Sequence, residues 1–308
     1  MNHKILKYLF KHLTVLACLS TTALYAAGDL PTKFSNQGGI KNTRHNLTQN
    51  TLPNNGGGNM NSSRNDYGQV CVYCHTPHGA NTTVNLPLWN RTINANTYTT
   101  YDTLNTSTLT SDVAQPGINS LSCLSCHDGT LAVDSIINMP GSNGYSASQQ
   151  TTQSDAFLNQ WATVFGGNAT STHAGLSADG TGCLACHSTT ALAVIGGTAT
   201  DFRLFAIGTD LTNDHPVGIA MPATGAGTDF NTPTATLASI SWFDNDADSR
   251  PDSNEIRFYN TGSGPRVECA SCHDPHGVSP TGIGGTINAS FLRINNAGSA
   301  VCLTCHVK

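Results

Sequence analysis

Ten of the eleven cysteines fall in five short motifs of one form: CVYCH (71–75), CLSCH (123–127), CLACH (183–187), CASCH (269–273) and CLTCH (302–306). C-x-x-C-H is the attachment pattern of c-type haem. Two thiols add to the two vinyl groups of one porphyrin, so the ring fixes their separation. The pairs here are Cys71 and Cys74, Cys123 and Cys126, Cys183 and Cys186, Cys269 and Cys272, and Cys302 and Cys305. The next histidine then lies under the iron as proximal ligand: His75, His127, His187, His273 and His306. One such match arises by chance often enough to mislead. Five, using ten of eleven cysteines, do not. Zinc ribbons also use C-x-x-C pairs but need no histidine after every pair. A disulfide framework suits an exported protein but leaves the five histidines unexplained.

Beyond residue 26, five more histidines remain: His45, His78, His173, His215 and His276. That is one spare histidine per motif. Methionine could serve instead, but only Met60, Met139 and Met221 are on hand. The expectation is bis-His ligation of at least four haems. His78 follows His75 by three residues in CHTPHG, and His276 follows His273 by three in CHDPHG. A distal ligand must approach from the opposite face of the porphyrin. A link of three residues stiffened by proline cannot pass round the macrocycle edge. His78 and His276 are therefore expected to ligate a haem other than that of their own motif, which brings two haems close together.

The elements that must position these groups read as sparse. The chain between motifs is rich in Thr, Asn, Ser and Gly, and segments 48–66, 141–155 and 223–236 read as linkers or loosely held arms. Short helices are expected to end at the attachment motifs, with another over 154–165. A hairpin is expected from EIRFY (255–259) to RVECA (266–270). The fold class is a multihaem cytochrome c, mostly irregular, with short α-helices, a small β-hairpin and a core of stacked haems. The organisation reads as a signal peptide (1–26), an N-terminal arm (27–66), a haem module with motifs one and two (67–150), a middle segment with motif three (151–236) and a C-terminal haem module with motifs four and five (237–308).

Charged residues are 11 % of the chain, against about 25 % in ordinary soluble domains. The formal net charge is -5, and no basic run points to nucleic acid. After residue 26 no apolar stretch is long enough to span a membrane as a helix. Residues 1–26 read as a secretory signal, with Lys4, Lys7 and Lys11 before an apolar run from Leu13 to Ala23. Val15 to Cys18 offers a rival lipoprotein cut. A third feature is acidic. Asp244, Asp246, Asp248, Asp252 and Glu255 occupy positions 1, 3, 5, 9 and 12 of an EF-hand-like loop, with Ser249 where the turn wants glycine. The flanks read poorly as helix, so the choice is between a looser calcium loop and a solvated acidic turn.

CHTPHG with PLWNRT (87–92), CLSCHDGT (123–130), DHPVG (214–218) and VECASCHDPHG (267–277) resemble the doubled-CXXCH multihaem cytochromes c of bacteria. The resemblance covers most of the chain beyond residue 26. It implies a periplasmic or cell-surface electron carrier of anaerobic respiration, with other redox proteins as partners. It further implies His215 and His45 as distal ligands, and permits a homopolymer of the extracellular haem-filament kind. The competing readings are a pentahaem reductase with one open iron, similar to nitrite reductases, and a filament subunit. Reductases of that type commonly carry a Lys-ending motif, whereas all five motifs here end in His.

Overall fold

The computed structural model describes residues 35–48, 67–93, 96–138, 163–165, 168–171, 175–176, 182–185, 187–188 and 201–307. These residues belong to one compact unit. Regular structure is sparse, as the composition implies. Three short α-helices are described: α1 (Ile118–His127), α2 (Cys269–Cys272) and α3 (Ala300–Cys305). Each ends at or just before the histidine of an attachment motif. Motifs one and three form single 3-10 turns, Val70–Tyr73 and Gly182–Ala185. No described helix is long and apolar enough to cross a membrane.

The strands are β1 (Thr163–Phe165), β2 (Asn168–Ser171), β3 (Ala235–Leu237), β4 (Ile240–Trp242), β5 (Arg257–Asn260) and β6 (Pro265–Arg266). β1 and β2 pair antiparallel, and β3-β4-β5-β6 form an antiparallel meander. The expected hairpin is present, but its second strand stops at Arg266. Cys269–Cys272 are needed for the attachment turn and fold as helix instead. The expected helix over 154–165 is corrected at its end, where Thr163–Phe165 are strand. β-branched and aromatic residues favour extended backbone. The rest of that stretch lies outside the described residues.

Among the described residues, three small clusters of buried apolar side chains pack beside attachment turns. Tyr67, Val72, Tyr73 and Ile136 surround motif one, and Tyr98, Leu124 and Leu211 surround motif two. Phe243, Ile256 and Phe258 pack with Cys272, Val301 and Cys305 of motifs four and five. Segment 223–236 is docked rather than loose. Asn231 N donates to Cys305 O at 2.8 Å and Val307 N to Asp229 O at 2.8 Å, bringing Phe230 against His306.

Candidate haem-binding site

Each described attachment motif closes one helical turn. The histidine N–H donates to the carbonyl of the first cysteine: His75 to Cys71 at 2.7 Å, His187 to Cys183 at 2.9 Å, His273 to Cys269 at 3.1 Å and His306 to Cys302 at 2.8 Å. In motif two the same turn is the end of α1. Cys186 and His173 lie outside the described residues. Cys71, Cys74, Cys123, Cys126, Cys269, Cys272, Cys302 and Cys305 form no disulfide. Burial pushes the Cys74 and Cys305 thiols up to about 12 and Cys272 up to about 11.

The histidine rings are oriented by backbone carbonyls. Nδ1 lies 2.7 Å from Pro87 O in His75, 2.6 Å from Phe205 O in His127 and 2.7 Å from Ser290 O in His273. The same holds for His45 with Pro275 O at 2.9 Å and His215 with Pro216 O at 3.1 Å. A carbonyl only accepts, so Nδ1 carries the proton and the Nε2 lone pair is left for a metal. Burial lowers the pKa of His127 and His273. Burial, with the nearby His127, holds His45 down to about 4. These rings are neutral at neutral pH, the form that ligates.

Two ring pairs stand out. His75 and His276 have centroids 6.2 Å apart with planes 12° from parallel. His45 and His127 are also 6.2 Å apart, with planes at 80°. Two imidazoles on opposite sides of one metal, with bonds of about 2.0–2.1 Å, put their ring centres about 6 Å apart. The residues present therefore fit a covalently attached haem with two histidine ligands. His45, placed by the sequence in a loose arm, sits between buried Thr43 and Asn46 and is fully engaged. His215 is exposed, and desolvation together with the neighbouring His306 lowers its pKa. His78 is also exposed. Its loop is fixed by Thr76 Oγ, which donates to His78 O at 2.8 Å. His187 stacks face to face on Phe202 at 3.9 Å. In both PHG loops the glycine has positive φ, +67° at Gly79 and +82° at Gly277. A Cβ on Gly277 would lie 2.7 Å from Ile287 Cγ2.

The motifs pack on one another out of sequence order. Arg91, just after motif one, donates to Ser125 Oγ and O of motif two. Cys269 N of motif four donates to Ser120 Oγ at the start of α1 at 2.8 Å. Cys272 of motif four and Cys305 of motif five pack against one apolar cluster. Motif three lies beside motif two through residues 202–208: Phe202 N donates to His187 O at 2.8 Å and Ile207 N to His127 O at 2.9 Å.

Sequence reasoning missed two residues that hold this packing. Arg91 is fully buried, and its guanidinium donates to Ser125 O and Oγ inside motif two and to the carbonyls of Ala132 and Val133. Glu268, also buried, reaches from motif four to the start of α1. The Arg in PLWNRT and the Glu in VECASCH were legible as residues, but their partners lie 34 and 148 residues away.

The acidic loop is assembled as its spacing suggests. Ligand oxygens of Asp244, Asp246 and Glu255 lie within 4.8 Å of one another, as do those of Asp246, Asp248 and Asp252. Ser249 takes φ +62°, the left-handed turn expected there. The flanks are β4 and β5, so the loop is not an EF-hand. Glu255 is buried and accepts from Asn245 N and Asp252 N, both at 2.8 Å.

Residues 264–308 match the family described as the doubled CXXCH motif. This segment holds motifs four and five, and the doubled CXXCH motif indicates covalent binding of haem c there. No curated protein matches the chain.

Proposed function

We propose that the protein is an exported pentahaem c-type cytochrome that carries electrons along a chain of bis-His haems, in anaerobic or extracellular respiration. The observation that carries this reading is the 6.2 Å spacing of His75 with His276 and of His45 with His127. Each pair joins a proximal histidine to one from a distant part of the sequence. His215 is a further distal ligand in this reading, from the resemblance of DHPVG to the family's motif. His78 serves the iron at His273, by the match of CHTPHG to CHDPHG. Bound haem would supply one-electron redox chemistry; the paired histidines would hold it, with imidazole tautomers fixed by the partners of Nδ1. The packing of the motifs supports a route through motifs one, two, four and five, with motif three beside two. Export rests on the basic and apolar N-terminal segment and on the fact that haem is attached covalently outside the cytoplasm. Periplasm or cell surface follows, with redox proteins or further copies of the chain as partners.

The test is the spin state of the purified protein. All-low-spin ferric spectra and weak carbon monoxide binding on reduction are expected. A substantial high-spin fraction would instead support a reductase with an open iron. For the acidic loop the candidate ion is calcium. Calorimetry on the wild type and on Asp246→Ala and Glu255→Ala decides it: heat lost in the variants supports the ion, and no heat in the wild type leaves a solvated turn.

A further inference from the structure

His276 differs from its counterparts in the group that holds its ring. His45, His75, His127, His215 and His273 turn Nδ1 to a backbone carbonyl. His276 turns Nδ1 to a carboxylate oxygen, Asp274 Oδ1, at 2.9 Å, and its backbone N–H donates to the same oxygen at 3.0 Å. The other carboxylate oxygen accepts from Nη1 of buried Arg293 at 3.2 Å. Asp274 is therefore an anion against the ring.

A carboxylate and a carbonyl are unequal partners. An anion accepting from Nδ1–H draws the proton toward itself, and the opposite nitrogen becomes a more basic ligand. A more basic axial ligand favours the ferric iron, which carries the extra positive charge, and so lowers the reduction potential. Arg293 works the other way, because its charge draws on the same carboxylate.

We propose that Asp274 is a positioning residue which, through His276, lowers the reduction potential of the iron held between His75 and His276. This rests on the ligation proposed above. The twin loop shows the contrast. Thr76 stands where Asp274 stands, and its hydroxyl donates to the His78 carbonyl instead of receiving a ring N–H. Two otherwise matching CH-x-PHG loops thus differ at the one position that touches the distal ring. The pair of crossed sites is thereby unequal, and an electron on the His75–His276 iron is held less tightly than it would be with a carbonyl partner.

The experiment is a spectroelectrochemical titration of the haem-loaded protein. Asp274→Asn keeps the oxygen that the backbone N–H needs and removes the charge. One midpoint potential should rise by a tenfold change in that iron's equilibrium, about 59 mV for one electron, while the ferric spectrum stays low-spin. Arg293→Gln leaves the carboxylate unopposed, and the same midpoint should fall. His276→Ala tests the ligation separately and should convert one haem to high spin. A wholly low-spin His276→Ala variant would overturn the ligation. A high-spin signal there, with unmoved midpoints in Asp274→Asn, would overturn the role of Asp274 and leave the ligation standing. Shifts of Asp274→Asn and Arg293→Gln in the same direction would also overturn it.

Discussion

Glu268 and Ser120, 148 residues apart and both buried, are hydrogen-bonded to each other and tie the fourth attachment turn to the start of the helix that carries the second. The Glu268 carboxylate also accepts from Gly117 N at 3.1 and 3.0 Å, and Ser120 Oγ accepts from Cys269 N at 2.8 Å. The first N–H groups of a helix have no partner within it, and a carboxylate there meets the positive end of the helix dipole. One residue before a cysteine thus fixes how motifs two and four approach.

Glu268→Ala should cost about 1–3 kcal/mol, because it leaves buried donors without an acceptor. Gly117→Ala should also destabilise, since its Cβ would lie 2.6 Å from Glu268 Oε1. Denaturant unfolding of the haem-loaded protein measures both. An unchanged midpoint in Glu268→Ala would show that this contact does not hold the two motifs together.

Arg91 plays the matching part between motifs one and two. Its planar fork reaches Ser125, Ala132 and Val133 at once, which a lysine ammonium cannot do. Arg91→Lys should cost about 3 kcal/mol or more, from several lost bonds of a buried charge. Thermal unfolding compares it with the wild type, and a loss below about 0.5 kcal/mol, the usual size of a surface change, would contradict this role.

The haem count is checked by intact mass after acid-acetone extraction, which removes haem that is not covalently held. The expected excess over the polypeptide is five haems. Retention of fewer than four would refute the pentahaem reading.

The sequence carried the attachment turns openly, because porphyrin geometry writes itself into the spacing of Cys71, Cys74 and His75. The approach of His276 to a ring of another motif, His75, was legible from Pro275, which stiffens the link to His273. The partner of His45 was not, since nothing near residue 45 encodes the fold that brings it to His127. Strands β3 and β4 were missed because ATL and ISW alternate too briefly to signal a strand. Segment 223–236 read as loose because the contacts that dock it on motif five, Asn231 with Cys305 and Phe230 with His306, are to the far end of the chain.

The central claim is that His276, from the fourth motif, completes the iron of the first. Electron paramagnetic resonance of ferric His276→Ala tests it when read with and without the first attachment site. The account predicts a new high-spin signal in His276→Ala that is lost when Cys71→Ala and Cys74→Ala remove the first haem. A high-spin signal that persists without that haem would place His276 on another iron and contradict the account.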